Sequence, residues 1–178
     1  MSRLPTWAVV KPARLAHIQR VAALVEQWAV QIELDETERE RWLSAAWLHD
    51  ALRDENPARL LELVPEYADW PGPLLHGPAA AARLRQEGFS DEGVLRAVAY
   101  HTIGHPDLDA AGRALYLADF LEPGRSFDPI GRAVMRARMP HEQDAILREV
   151  LRNRITHMIS GNRKMRSETL AFWNSLAR

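Results

Sequence analysis

Residues 35–53, DETERERWLSAAWLHDALR, decide the fold, because they combine a helix start, an apolar helical face and a His-Asp pair. Asp35 followed three residues later by Glu38 is a capping arrangement that opens a helix. This helix is predicted to run to His49-Asp50, so its last turn carries two side chains that bind metals well. Its apolar positions recur at helical spacing: Trp42, Leu43, Ala46 and Trp47.

The rest of the chain has the pattern of further helices with short connections. Asn56-Pro57 starts one helix by the N-cap and Pro-at-N1 preferences, and Ser90 and Ser167 are expected to cap two others. No alternating strand pattern is present, so the fold class is predicted to be all-α. The predicted helices cover about 13–34, 35–50, 56–65, 76–88, 90–101, 110–121, 130–138, 141–160 and 167–176.

Length and composition favour one domain. At 178 residues and 47% hydrophobic content, the chain is long enough for one core and too short for two domains of ordinary size. We expect a single domain over 1–178, with a core over about 13–160 and a C-terminal basic helix to 178. No apolar run reaches the roughly 18 residues of a membrane span, and the start does not resemble a secretory signal. A cytoplasmic protein without a membrane partner is therefore expected.

Charge is distributed unevenly along the chain. Residues 125–178 hold 11 basic and 5 acidic side chains, whereas residues 1–124 hold 12 basic and 19 acidic ones. Aromatic residues do not alternate with these arginines, as a base-stacking platform for nucleic acid would require. A polyanionic small molecule is therefore the better partner hypothesis, with a solvated helix face as the alternative.

Six positions carry metal-ligand chemistry in the order H…HD…H…H…D. Without cysteine, only histidine and carboxylate side chains remain as strong metal ligands. Asp50 follows two tryptophans and Asp119 is the one acid in a nearly apolar helix, and a buried carboxylate is costly unless it is paired or metal-bound. Salt bridges to Arg20 or Arg53 are the structural alternative. The six positions are His17, His49, Asp50, His76, His101 and Asp119.

In this order the six positions resemble the HD-domain metal-dependent phosphohydrolases. Finer phrases resemble one branch, the YqeK-type symmetrical bis(5′-nucleosyl)-tetraphosphatases. The resemblance spans nearly the whole chain and implies an HD-domain helical bundle around a buried metal centre. The phrases are LHGP at 75–78, YHTIG at 100–104, YLADFLEPGR at 116–125 and, more loosely, TLxxxN at 169–174.

The resemblance also implies a ligand set and a cofactor. The cofactor would be a divalent metal, with iron the first choice and manganese, cobalt or nickel as alternatives, bound as one or two ions. His76 and His101 would lie beside the centre, where they complete a second metal position bridged by Asp50 or contact the phosphates. The implied metal ligands are His17, His49, Asp50 and Asp119.

Catalytic and substrate-binding roles follow from the same resemblance. The catalytic residues would be Asp50, His76 and His101. Two positions depart from the family pattern, since His105 replaces a basic residue and Arg166-Ser167 replaces His-Pro. Arginine and lysine side chains are suited to bind phosphate oxygens. The expected substrate contacts are Arg53, His76, His101, Thr102, Asp119, Arg125, Arg163 and Lys164.

The implied activity is metal-dependent hydrolysis of dinucleoside tetraphosphates. Diadenosine tetraphosphate would give two ADP through attack of a metal-bound hydroxide on phosphorus. Another HD-type nucleotidase or phosphodiesterase would use the same ligands, and a helical module that binds nucleotides without turnover is a third hypothesis. The expected partner is a nucleotide substrate rather than nucleic acid, and a homodimer is left open.

Overall fold

The computed structural model describes residues 3–177, and within this range the chain is helical with no strand. The prediction of an all-α fold is therefore confirmed. Two short 3₁₀ turns, Pro65–Tyr67 and Gly72–Leu74, connect the third helix to the fourth. The helices are α1 (Pro12–Gln31), α2 (Glu36–Leu48), α3 (Pro57–Leu63), α4 (His76–Gln86), α5 (Glu92–Tyr100), α6 (Ala110–Leu121), α7 (Pro129–Arg138), α8 (Gln143–Ser160) and α9 (Ser167–Leu176).

The core forms where α1, α2 and α5 pack around α6. Residues 114–118 of α6 are all buried, because this stretch is apolar on every side of the helix. Trp28 of α1 and Trp42 of α2 are buried as well and fill the space between these helices. Within residues 3–177, no helix combines the length and the apolar character that a membrane crossing requires.

Two of the predicted helix starts have the expected caps. The Asp35 carboxylate accepts a hydrogen bond from the backbone N–H of Glu38 at 2.9 Å. Asn56 accepts one from the N–H of Ala58 at 2.9 Å, directly before Pro57. Both caps satisfy a backbone donor that has no partner within the helix.

Two predicted caps were wrong. The N-cap of α5 is Asp91 rather than Ser90, because the Asp91 carboxylate accepts from the N–H of Val94 at 2.9 Å. The N-cap of α9 is Arg166, without a side-chain cap, and Ser167 is already the first helical residue.

Several boundaries also moved inward. α1 ends at Gln31 rather than near 34, since Glu33 has a left-handed φ of 54°. α2 ends at Leu48, so His49 and Asp50 lie in the turn that follows. α8 begins at Gln143 rather than at 141, after a turn over 139–142.

Arg41 of α2 ties the starts of α5 and α6 to α2. Its guanidinium donates to the carboxylate of Asp91 at 2.7 Å and to that of Asp109 at 2.6 Å. Asp91 and Asp109 are the N-caps of α5 and α6. One side chain therefore sets the relative positions of three helices whose opposite ends carry the ligand-type residues.

Arginines from the basic C-terminal segment cap the end of α6. Arg125 donates to the carbonyl of Asp119 at 3.0 and 3.1 Å, and Arg136 donates to the carbonyl of Leu121 at 2.6 Å. Arg132 donates to the carbonyl of Phe120. These carbonyls have no partner within the helix and lie at the negative end of its dipole. Part of the positive charge that suggested a polyanionic partner is therefore used inside the fold.

α4 and α5 approach each other closely at Gly77, next to His76. A Cβ atom at this position would lie 2.7 Å from the carbonyl oxygen of Ala99 and 2.8 Å from that of Val98. Both neighbours are backbone atoms of α5, which cannot move without moving the helix. Glycine is therefore required for this helix contact.

We expect Gly77→Ala to lower the free energy of unfolding by about 1–3 kcal/mol, because the added methyl group forces α4 away from α5. Urea denaturation measures this loss. The control is Gly161→Ala, where a Cβ atom would first meet the Arg163 side chain at 3.2 Å, which can move aside. A Gly77→Ala protein as stable as the wild type would contradict the close contact.

Candidate metal centre

Five parts of the fold bring the six ligand-type residues into one buried cluster. His17 lies within α1, His49 and Asp50 follow α2, and His101 follows α5. His76 is the first residue of α4, and Asp119 lies in the last turn of α6. The four histidines and Asp50 are at most 5% exposed, whereas the Asp119 side chain keeps 14%.

The four imidazoles are oriented by hydrogen bonds on one ring nitrogen. Nδ1 of His49 donates to the carbonyl of Ala46 at 2.8 Å, and Nδ1 of His101 donates to that of Val98 at 2.8 Å. Nδ1 of His76 does the same to Pro73 at 2.9 Å. In each of these three cases the acceptor is three residues upstream.

His17 differs, because its Nδ1 donates to the carboxylate of Glu122 at 3.1 Å. An acceptor at Nδ1 fixes the proton on that nitrogen. All four rings therefore direct Nε2 toward the cluster, which is the orientation of metal-binding histidines.

Asp50 lies at the middle of the cluster and faces two histidines on each side. Its Oδ1 is 3.1 Å from Nε2 of His76 and 3.5 Å from Nε2 of His101. Its Oδ2 is 3.4 Å from Nε2 of His49 and 3.7 Å from Nε2 of His17. The two carboxylate oxygens thus belong to two halves of one cluster, which is the arrangement of a bridging ligand.

Several imidazole Nε2 and carboxylate oxygen atoms of the cluster lie so close together that positive charge is needed between them. Nε2 of His76 and Nε2 of His101 are 3.1 Å apart, and Nε2 of His17 is 3.1 Å from Oδ1 of Asp119. With the ring protons on Nδ1, each of these atoms is an acceptor. Acceptors at this distance repel one another unless a proton or a metal cation lies among them.

The donor set fits a divalent metal ion. Nε2 of His17 and Nε2 of His49 are buried and have no hydrogen-bond partner. Two groups have donor atoms within 4.8 Å of one another, and they share His49. Imidazole nitrogen and carboxylate oxygen are ligands that borderline divalent metals prefer. The groups are His17 with His49 and Asp119, and His49 with Asp50 and His101.

The pKa values of the two carboxylates in the cluster also indicate that nearby positive charge stabilises them. Burial acts to raise the pKa of Asp50, but the charge of His49 holds that pKa well below its usual value. Burial also opposes ionisation of Asp119, yet the close contact with His17 and the charge of Arg125 lower its pKa. Both carboxylates are therefore ionised at neutral pH.

Two of the histidines have pKa values that are shifted in opposite directions. Burial acts to lower the pKa of His49. The charge of the adjacent Asp50 carboxylate and the other interactions of the ring together raise it. Burial, together with the neighbouring imidazoles, lowers the pKa of His101 to about 4. His101 is therefore neutral at pH 7, which is the form that binds metals.

Two charged residues at the cluster were not found from the sequence. Nη1 of Arg14 donates to Oδ2 of Asp50 at 2.8 Å, and the buried Glu122 pairs with Nε of Arg20 at 2.6 Å. Arg14 lies three residues before His17, on the same side of α1. Glu122 is part of the YLADFLEPGR phrase, so the phrase was noticed but the residue was given no role.

The predicted substrate contacts divide into two sets. Thr102 lies at the cluster, with its hydroxyl 3.1 Å from Nε2 of His101, and Arg125 donates to Oδ1 of Asp119 at 2.5 Å. Arg53 is partly exposed three residues after Asp50. Its backbone N–H donates to the carbonyl of Asp50 at 3.0 Å. Within residues 3–177, no hydrogen bond or ion pair of its side chain joins it to the cluster. The same holds for two exposed residues between α8 and α9, whose substrate contacts stay predictions: Arg163 and Lys164.

The positions that depart from the family pattern have partners elsewhere. The His105 ring lies 4.6 Å from the Tyr100 ring, and its Nδ1 accepts from the backbone N–H of Asp107. Arg166 pairs with Asp69 at 2.9 Å and lies over the Trp70 ring. Trp70 is buried by these contacts.

A family model described as HD domain matches residues 14–124, which include all six ligand-type positions. A solved structure from Clostridium acetobutylicum, described as a predicted HD superfamily hydrolase involved in NAD metabolism, superposes with a TM-score of 0.79. It is 24% identical and covers 94% of this chain and 90% of its own. This likeness supports the fold.

Three relatives bear the name symmetrical bis(5′-nucleosyl)-tetraphosphatase. The relative from Halalkalibacterium halodurans is 29% identical over 99% of this chain and 97% of its own length. The Bacillus subtilis relative is 30% identical over 70% of this chain and 62% of its own. The Staphylococcus aureus relative is 33% identical over 46% of each.

We expect His49→Ala to abolish tight metal binding, because both donor groups share this imidazole. Elemental analysis after dialysis should find metal in the wild type and almost none in the variant. Added Mn²⁺ should raise the melting temperature of the wild type, by an amount equivalent to about 2.7 kcal/mol at 100 times the dissociation constant. The variant should show no such rise.

The control for this experiment is His141→Ala, which removes an exposed histidine outside the cluster. Its metal content should equal that of the wild type. Equal metal content in the His49→Ala protein would show that the cluster is not the binding site.

Proposed function

Because this chain belongs to the HD-domain family, we propose that its buried His and Asp cluster holds a divalent metal and hydrolyses dinucleoside tetraphosphates symmetrically. One observation carries the proposal: the Nε2 atoms of four buried histidines lie within 3.7 Å of the Asp50 carboxylate. An HD domain implies a divalent metal, and this donor set suits one. Three relatives named for the symmetrical reaction support the substrate class.

The reaction adds one water across the central phosphoanhydride bridge. The water oxygen bonds to one of the two inner phosphorus atoms, and the bond from that phosphorus to the central bridging oxygen breaks. Each half leaves as a nucleoside diphosphate, so diadenosine tetraphosphate gives two ADP. When bound, a divalent metal supplies Lewis acidity that lowers the pKa of water and offsets charge on the phosphoryl oxygens.

The residues that would hold the metal are the family ligands. Those four are His17, His49, Asp50 and Asp119, and His76 and His101 would extend the site on the Oδ1 side of Asp50. If only one ion is bound, at the four family ligands, the Nε2 lone pairs of His76 and His101 are free to accept a proton from the attacking water instead. Since both rings donate through Nδ1 to backbone carbonyls, they keep their orientation while they do so.

Arginines around the cluster are suited to bind the phosphate chain. Arg14 uses Nη1 for Asp50 and leaves 26% of its side chain exposed, and Arg125 leaves 38% exposed beside Asp119. The remaining N–H groups of these guanidinium forks can donate to phosphate oxygens. Arg53 would add a third cation from the turn after Asp50.

We also propose the identity of the metal, the extent of the domain and two further substrate contacts. Iron is our first choice of metal, with manganese, cobalt or nickel as alternatives, in one or two ions. We also propose that residues 1–178 act as one HD phosphohydrolase domain, since arginines after residue 124 cap α6. A nucleotide substrate is consistent with a cytoplasmic location, and Arg163 and Lys164 stay on the list of substrate contacts.

We expect the iron- or manganese-loaded protein to convert diadenosine tetraphosphate into ADP alone. Separation of the products by ion-exchange chromatography measures this directly. ATP plus AMP would contradict the symmetrical cut, and turnover of nucleoside monophosphates instead would indicate a different HD nucleotidase. Metal binding without turnover of any nucleotide would favour a binding module.

We expect Arg53→Gln to raise KM for diadenosine tetraphosphate about tenfold, because one charge-assisted contact to phosphate is lost. The value of kcat should change little, since this contact is made in both the ground state and the transition state. The matched control is Arg59→Gln on the exposed side of α3, which should leave both constants unchanged. An unchanged KM in Arg53→Gln would remove Arg53 from the binding site.

A further inference from the structure

We propose that Glu122 is a positioning residue that makes His17 the strongest imidazole donor of the cluster. As a result, the position formed by His17, His49 and Asp119 binds a metal ion more tightly than the position on the Oδ1 side of Asp50, formed with His76 and His101. This inference rests on the proposed function only in requiring that the cluster binds a divalent metal.

The argument begins with the partner of each Nδ1. His49, His76 and His101 donate to neutral backbone carbonyls at 2.8–2.9 Å. His17 donates to the Glu122 carboxylate at 3.1 Å. An anionic acceptor draws the Nδ1 proton more strongly than a carbonyl does, so Nε2 of the same ring donates its electron pair better to a metal ion.

Glu122 is buried, and both of its carboxylate oxygens have hydrogen-bond partners. It is 1% exposed, and its Oε2 accepts from Nε of Arg20 at 2.6 Å and from the N–H of Gly124 at 2.6 Å. Its other oxygen, Oε1, faces Nδ1 of His17. The buried carboxylate is thus paired with the Arg20 guanidinium and with a backbone donor, as a buried negative charge requires.

Gly124 is small because Arg20 lies directly against it. A Cβ atom at position 124 would overlap Nε of Arg20. The glycine therefore lets the guanidinium reach Glu122 from α1, while its own N–H binds the same carboxylate. α1, which carries His17, and the segment after α6, which follows Asp119, are thus linked behind the metal-binding side.

The two donor groups are consequently unequal. The first contains His17 with its carboxylate partner, whereas the histidines on the Oδ1 side of Asp50, His76 and His101, have only carbonyl partners. Outer carboxylate partners of this kind typically change metal affinity 10- to 100-fold. The first metal equivalent should therefore go to the group that contains His17.

The test compares Glu122→Gln with Glu26→Gln in the full chain. Glu26 lies on α1, the helix of His17, and also pairs with an arginine, Arg39, but touches no histidine of the cluster. We expect the dissociation constant for the first equivalent of Co²⁺ to rise about 10- to 100-fold in Glu122→Gln. The constant should be unchanged in Glu26→Gln. Competition with a chelator and the visible spectrum of bound Co²⁺ provide the readouts.

A second readout needs no metal. Nitrogen-15 NMR of the histidine rings should show His17 with its proton on Nδ1 in the wild type and a mixture of tautomers in Glu122→Gln. If Glu122→Gln does not fold, Arg20→Gln serves instead, because Arg20 contacts Glu122 but not His17. It should weaken the first Co²⁺ equivalent by less than about tenfold.

Wild-type affinity for the first Co²⁺ equivalent in Glu122→Gln, or in Arg20→Gln where the former does not fold, would overturn the proposal. A loss confined to the second equivalent would overturn it as well. Hydrolysis of diadenosine tetraphosphate by the wild-type protein is measured separately. Weakened Co²⁺ binding without hydrolysis would leave this inference standing and reject the proposed substrate, whereas hydrolysis with unweakened Co²⁺ binding would do the reverse.

Discussion

The crowding of four imidazole rings around the buried Asp50 carboxylate is the constraint on which the rest of the structure depends. Four imidazole nitrogens lie within 3.1–3.7 Å of one carboxylate. Such an arrangement persists in a folded chain only if surrounding contacts hold it and a cation stabilises it. The Arg41 link between α2, α5 and α6 and the close approach of α4 and α5 at Gly77 are contacts of this kind.

The ends of helices provide much of the order in the cluster. His49 and His101 are C-cap residues, and each donates to a carbonyl in the last turn of its own helix, where backbone partners are lacking. One proton therefore caps the helix and aims the imidazole at the same time. A histidine in the middle of a helix has no free carbonyl in reach, and His17 of α1 uses Glu122 from another part of the chain.

Local signals predicted the helices, because caps, breakers and apolar spacing act within a few residues, as at Asp35 and Asn56. The six ligand-type positions were found from their order along the chain, and the HD match confirmed the family. Arg14 and Glu122 were missed because their partners lie 36 and 105 residues away, and no periodicity records such pairs. Arg20 was considered as a partner for Asp50 or Asp119, but its carboxylate is that of Glu122.

The arginine caps on α6 bear on how much of the chain the site needs. The HD match ends at Gly124, one residue before the first of these arginines. A fragment cut at that boundary would keep every ligand-type side chain and lose the donors to the last carbonyls of α6, where Asp119 lies. The smallest fragment able to hold the centre is therefore longer than the segment that carries its motif. The basic C-terminal third of the chain supports Asp119, which lies outside it.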